Sequence, residues 1–294
     1  MAILFRLFYL RYVMREKCVQ EDACLRIHFY LGIGLLVSSW VANRLLEGAR
    51  THYFFFFLWL GYILTIDGIL VLKRGDSPLR RMGISYLFLF LLSIPFWWLF
   101  EGINLRMHNW EYVGSHQFGP ISYFLFASLS FSTVIPAVLT TAEWVRHWQW
   151  VDRLKKAKAL HISSKKGVFV LGLICLLLLL SFPTIFYPFC WIFLFLLTEP
   201  LNAVFKKRTF LFGDLKRGDW RAVISLWIGV LICGLCWELW NWQSDPRWVY
   251  NIPYLGFFPL FEMPIMGYLG YLPFALELFS LSNLFWKGKL PIDL

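Results

Sequence analysis

The sequence predicts an all-α integral membrane protein: a bundle of about eight transmembrane helices built as a tandem 4+4 parallel repeat. Three observations carry this. Hydrophobic residues make up 59% of the 294-residue chain and charged ones 16%, more apolar surface than one soluble core hides. Several nearly uncharged runs reach roughly 20 residues, enough to cross about 30 Å of hydrocarbon. And motifs recur at an offset of roughly 132–140 residues. Phe29-Tyr-Leu-Gly32 returns as Phe169-Val-Leu-Gly172, and Trp59 with Asp67 returns as Trp191 with Glu199. Glu101-x-x-Asn104 followed by Trp110-x-Tyr112 returns as Glu238-x-x-Asn241 followed by Trp248-x-Tyr250. Ile135-Pro-Ala-Val-Leu139, with Glu143 after it, returns as Leu272-Pro-Phe-Ala-Leu276, with Glu277 after it.

Taken in order, residues 1–26 read as a basic amphipathic segment on the membrane surface. Arg6 and Arg11 break its apolar stretch, and it lacks the small-residue site of a cleavable signal. The first repeat, 27–143, holds spans near 27–46, 53–72, 83–105 and 118–140. Residues 144–166 form a basic connector. Its Trp144, Trp148, Val151 and Leu154 fall at helical spacing among Arg146, Arg153, Lys155 and Lys156, which reads as an interfacial helix or a solvated linker. The second repeat, 167–285, holds spans near 167–184, 186–204, 222–242 and 257–284. Residues 286–294 read as a cytoplasmic tail. Strands of a membrane barrel are excluded, because the runs do not alternate apolar with polar.

Basic residues set the orientation. The N-terminal segment carries five, the 2–3 loop four, the 4–5 loop seven, the 6–7 loop six and the tail two; the other four loops share Arg44, Arg50, Arg106 and Arg247. Both termini are therefore expected in the cytoplasm. The same placement explains the net charge of +10 without nucleic acid. Cys175, Cys190, Cys233 and Cys236 lie in apolar runs and read as inert buried thiols.

Charged carboxylates at mid-membrane are costly, so each acid in a span needs a reason. Glu101 with Asn104, and Glu238 with Asn241, fall at the outer ends of spans 3 and 7, each acid and amide on one helix face. Trp97, Trp98 and Trp110 crowd the first pair; Trp237, Trp240, Trp242 and Trp248 crowd the second. A binding or catalytic role, interhelical hydrogen bonding, and an aromatic belt are the readings for this group. Asp67, Glu143, Glu199 and Glu277 fall toward the inner ends, where they either anchor helices on Lys73, Arg74, Lys206, Lys207 and Arg208 or take part in function. Pro259, Pro264 and Pro273, with Gly267 and Gly270, argue against an unbroken last helix. The broken segment is expected to line a pocket and to bring Glu262 into it.

No metal-ligand cluster, P-loop, G-x-S-x-G or dinucleotide fingerprint is present, and no cofactor is implied. His28, His52, His108, His116, His147 and His161 are scattered. What remains is carboxyl, amide and indole in an apolar cleft. A glutamate there suits general-acid work, and aromatic faces suit a cationic intermediate. That chemistry fits protonation of a lipid-soluble polyene followed by cyclisation or hydration.

The run Trp248-Val-Tyr-Asn251, Leu255-Gly256 and Phe261-Glu-Met-Pro264 resembles the membrane-embedded lycopene cyclases and related carotenoid hydratases, over about 40 residues. Their Pro-x-Glu-Glu doublet is reduced here to the single Glu262, and the first half lacks it. Over most of its length the chain is similar to bacterial multi-pass proteins of unassigned function, which implies the bacterial cytoplasmic membrane. The leading expectation is a protein that binds, or acid-catalyses the cyclisation or hydration of, a long isoprenoid or carotenoid-like lipid. Glu238 and Glu262 are the expected acid and counter-base, with Glu101 the partner acid. Asn104, Asn241, Trp98, Trp237, Trp240, Trp248, Tyr112 and Tyr250 are the expected lipid-binding residues. The rivals are a transporter or proton-coupled carrier, and an accessory subunit that holds lipid, quinone or pigment beside other membrane-protein subunits.

Overall fold

The computed structural model describes residues 27–46, 50–162, 164–205, 211–242 and 244–294. The basic amphipathic segment expected at 1–26 and the cations Lys206, Lys207 and Arg208 lie outside the described residues. The protein is mostly helical, with a few short strands. Helix α1 covers 27–45. It is followed by α2 (Arg50–Arg74), α3 (Pro78–Met82), α4 (Leu87–Met107), strand β1 (Trp110–Val113), α5 (Pro120–Phe131) and α6 (Val134–Arg146). Then come α7 (Lys165–Ser181), α8 (Pro183–Phe186), α9 (Phe193–Val204), α10 (Leu211–Lys216), α11 (Arg221–Asn241), β2 (Arg247–Tyr250), β3 (Pro259–Leu260), β4 (Met263–Pro264) and α12 (Tyr271–Phe285).

Among the described residues, six stretches are long and apolar enough to cross a membrane: Tyr53–Arg74, Pro78–Met107, Pro120–Arg146, Pro183–Val204, Arg221–Asn241 and Ile265–Phe285. The other two expected crossings are helical but fall short. Helix α7 has 17 residues, about 26 Å of rise, and α1 ends in the polar Asn43 and Arg44. Apolar side chains such as Leu91 on α4, Leu125 on α5 and Leu177 on α7 are exposed. A surface of this kind needs lipid around it, so this is a multi-pass membrane protein.

Helix α11 lies against α6 and α12, α12 against α9, and α2 against α6. Small residues allow the close crossings. A Cβ added to Gly229 on α11 would stand 2.7 Å from the Ala142 nitrogen on α6. A Cβ on Gly32 of α1 would meet Leu64 and Thr65 of α2, and one on Gly172 of α7 would meet Leu196 and Leu197 of α9. Pro136 and Pro273 each occupy the third position of their helix, α6 and α12, where the missing N–H has no partner to lose.

The basic loops gather at one end of the bundle. Here one expectation is corrected. The connector is no interfacial helix: α6 stops at Arg146, a 3-10 turn spans Val151–Lys156, and the following backbone is irregular. It is tied to the 214–221 loop through Ala157 N to Gly218 O (2.9 Å), Leu160 N to Leu215 O (2.9 Å) and Trp220 N to Leu154 O (3.1 Å). The expected tail is packed as well. Leu290 and Ile292 are buried, Arg81 donates to the Pro291 carbonyl, and the Asp293 amide donates to Glu143 (2.9 Å).

The α6–α11 crossing generates a prediction. Gly229→Leu drives a side chain into the α6 backbone and lowers the thermal midpoint of the purified protein, at a cost of about 1–3 kcal/mol. Gly102→Ala on α4, which has nothing within 4 Å of the new Cβ, leaves the midpoint unchanged or raised. Scanning fluorimetry in detergent checks both.

Candidate functional site

The two Trp-x-Tyr segments, far apart in sequence, pair with each other. Strands β1 and β2 run antiparallel, Trp110 opposite Tyr250 and Tyr112 opposite Trp248. Each strand follows directly from an apolar helix, and each helix end is closed by its asparagine. The Asn104 side-chain oxygen accepts from the Asn109 (2.9 Å) and Trp110 (3.3 Å) amides, while its Nδ2 donates to the Trp110 carbonyl (2.7 Å). Asn241 makes the same pair of bonds, accepting from Trp248 N (2.9 Å) and donating to Trp248 O (2.7 Å). These amides therefore hold backbone and do not face a ligand.

The two glutamates are held in the same manner. Side chains two residues apart on a strand share a face, so Trp110 and Tyr112 both reach back to Glu101. Oε1 of Glu101 accepts from Trp97 Nε1 (2.8 Å), Trp110 Nε1 (3.2 Å) and Tyr112 Oη (2.6 Å). Oε1 of Glu238 accepts from Tyr250 Oη (2.7 Å) and Tyr271 Oη (3.0 Å), and Trp248 Nε1 donates to Tyr250 Oη (2.9 Å). Burial, reinforced by the adjacent glutamate, pushes the Tyr112 and Tyr250 phenols well above their usual range. They keep their protons and act as donors.

Under the strand pair lies a cavity with about 1070 Å³ of empty space, its open mouth included. Its wall draws on both halves of the chain: Phe55 and Trp97, Trp110 and Tyr112 of β1, Tyr123 and Phe131 of α5, Trp191, Trp237, and Trp248 and Tyr250 of β2. Met263, Gly267, Gly270 and Tyr271 also line it, together with Ala127, Ser130, Val134 and Pro246. Trp191 and Trp110 lie 5.9 Å apart between ring centroids, and Trp237 and Tyr271 also 5.9 Å. Tyr271 has room because its neighbour on α11 is glycine; a Cβ on Gly234 would stand 2.6 Å from the phenol ring.

Four of the expected binding residues, Trp237, Trp248, Tyr112 and Tyr250, are in the wall. Glu101 and Glu238 stand one layer behind it, joined to it through tyrosine hydroxyls. Trp98 turns aside, donating to Ser128 (2.9 Å) and stacking on Phe124. Trp240 is buried against Trp59 and Tyr62. The expected place of Glu262 is corrected. The broken last span does bring Met263 and two glycines to the cavity, but Glu262 lies in the turn between β3 and β4, part-exposed and 3.8 Å from Arg247. Phe261 before it has a φ of 58°, a left-handed turn that carries the carboxylate to the rim.

The indole and phenol residues of the wall outside the expected binding set are Trp191, Trp97, Trp110, Tyr123 and Tyr271. Trp191 carried a signal, as the repeat partner of Trp59. Tyr271 carried none beyond the glycines that precede it.

The inner acids are all engaged. Asp67 accepts from Ser77 Oγ (2.8 Å) and the Leu79 amide (3.0 Å) at the start of α3. Glu199 accepts from Ser280 Oγ (2.9 Å) and the Phe212 amide (3.0 Å) at the start of α10. Glu277 accepts from the Leu194 amide (3.0 Å) in the first turn of α9, and Glu143 takes Arg81 at 2.5 Å. These contacts anchor helix ends. No group of His, Cys, Asp and Glu fit to hold a metal occurs among the described residues.

Comparison with family models, with curated proteins and with solved structures found no match to this chain.

The asparagine braces are open to test. Asn104→Ala and Asn241→Ala each strand a backbone donor and acceptor at a buried helix end, a loss of about 1–3 kcal/mol. Because both braces support one strand pair, the double variant falls short of the summed losses. Detergent-solubilised thermal or denaturant unfolding of the four proteins checks this cycle.

Proposed function

We propose that this protein binds a long isoprenoid or carotenoid-like lipid, one end of which enters the aromatic cavity while the remainder lies along the lipid-facing helices. One observation carries the reading: the polar hydrogens of six wall residues point away from the cavity. The indole N–H groups of Trp97, Trp110 and Trp248 and the hydroxyls of Tyr112, Tyr250 and Tyr271 all donate to Glu101, to Glu238 or to one another. What these six residues leave to a ligand is ring face and carbon, which suits a hydrocarbon end group and gives little to a sugar or phosphate.

The architecture proposed with it is eight helices in two parallel halves of four. Matched contacts support it: the Gly32–Leu64 and Gly172–Leu196 approaches, the asparagine braces, and the glutamates that receive strand tyrosines. Clustering of the basic loops at the end opposite the strands supports cytoplasmic termini, with the cavity toward the outer leaflet.

In the enzymatic form of this reading, the proton reaches the polyene by way of tyrosine. For this step the hydroxyl of Tyr250 or Tyr271 turns from Glu238 to the cavity; Glu238, as the acid, gives its proton to that tyrosine oxygen while the hydroxyl gives its own to the double bond. The carbon–carbon π bond breaks and a C–H bond forms; the cation left on carbon attacks a second double bond or takes water, and the proton then lost from carbon or from the added water returns to the Glu238 carboxylate by way of the same tyrosine.

The test is lipid extraction and mass spectrometry of the purified protein. One isoprenoid is expected to be enriched over bulk membrane lipid, and to be lost from Trp110→Ala and Trp191→Ala. Recovery of bulk lipid alone from wild type would contradict the binding reading. Glu238→Gln is expected to retain the lipid unconverted; full conversion would remove Glu238 from the chemistry.

A further inference from the structure

The same outward turn of the wall donors has a consequence for charge. An aromatic ring is negative on its face and positive at its edge. In Trp97, Trp110 and Trp248 the positive N–H edge is fixed on a carboxylate or a phenol oxygen, so it is withdrawn from the cavity. Two acids back the wall from opposite sides: Glu101 behind Trp97, Trp110 and Tyr112, and Glu238 behind Tyr250 and Tyr271. Oε1 of Glu101 takes three hydrogen bonds from the wall. The second oxygen of Glu238 is buried and accepts no hydrogen bond among the described residues, an open acceptor that is costly to leave unfilled. Among the described residues, no lysine, arginine or histidine is part of the wall, so an anion finds no cation there.

We propose that the cavity selects positive charge, and that its ligand class is a carbon-clad cation: a trimethylammonium group or a carbocation formed within a lipid. The inference uses the aromatic cavity of the proposed function but does not require an isoprenoid. A group of this kind is too weakly hydrated to resist transfer from water, and ring faces replace its solvent at about 4–6 Å from their centroids. Carbon-clad charge needs no hydrogen-bond acceptor, which matches a wall in which the N–H and O–H groups of Trp97, Trp110, Trp248, Tyr112, Tyr250 and Tyr271 are already engaged.

The experiment compares choline with its neutral isostere, 3,3-dimethylbutan-1-ol, on the full chain in non-ionic detergent. Equilibrium dialysis with labelled choline measures the first, and displacement measures the second. Choline is expected to bind at least about tenfold tighter, the discrimination that desolvated cation–ring contacts supply. Equal affinity, or tighter binding of the alcohol, overturns the proposal whether or not an isoprenoid co-purifies. Glu101→Gln keeps the side-chain size and is expected to weaken choline several-fold with the alcohol unchanged. An equal loss of both would show that charge is not what the wall reads. Should that variant fail to fold, the wild-type comparison still decides. The retained lipid tells the sources apart: a trimethylated lipid assigns the charge to a permanent headgroup, and a neutral polyene to a cation formed by protonation. An acidic lipid held in the cavity overturns the proposal.

Discussion

The antiparallel pairing of 110–113 with 247–250 is the contact on which the rest of the structure depends. Each strand arrives from a helix end that would leave carbonyls and amides bare, and each end is closed by an asparagine that bonds the strand backbone, Asn104 at Trp110 and Asn241 at Trp248. The pairing puts Trp110 and Tyr112 beside Trp248 and Tyr250, and so places an aromatic surface over the gap between α4, α5 and α11. Without the pair there would be two open strand edges at the membrane boundary and no roof to the cavity.

The polar residues of this chain serve backbone first. Asp67, Glu199 and Glu277 each accept a main-chain amide near a helix start. Asn104 and Asn241 do the equivalent where helices give way to strands. In lipid an unsatisfied amide costs several kcal/mol, so a short carboxylate or amide beside a helix end is a strong local stabiliser. Glu101 and Glu238 depart from this pattern. Glu101 receives hydroxyl and indole donors from the wall and Glu238 receives two hydroxyls, and this draws those donors away from the cavity. The inner surface is made apolar by what stands behind it.

Much of this organisation is legible in the sequence. The recurring Glu-x-x-Asn and Trp-x-Tyr blocks mark the positions that become matched hydrogen-bond networks, and the prolines and glycines before Tyr271 mark a span that is not a single helix. The pairing of the two Trp-x-Tyr segments is not legible, because four residues of period two are too few to distinguish a strand from a loop. The partners of the inner acids are hidden for a similar reason. Nearby lysines and arginines are the obvious candidates, yet Glu199 finds the Phe212 amide and Ser280, set by tertiary packing. Glu262 shows the limit of motif reading. Its neighbour Met263 is in the wall, but a left-handed Phe261 in a two-residue turn sends the acid to the rim. A one-residue difference in a hairpin reverses which side chain faces inward.

The most direct measurement is a cross-link between the halves at the strand pair. Glu111 and Val249 are opposed in register and point away from the glutamate contacts their neighbours make. Cysteines at opposed strand positions lie within disulfide range. The account predicts that the double variant Glu111→Cys, Val249→Cys oxidises readily to an intramolecular disulfide in the membrane, and that a control pair at Glu111 and Tyr254 does not. A 111–249 pair that stays reduced under oxidant, with each thiol labelled independently, would contradict it.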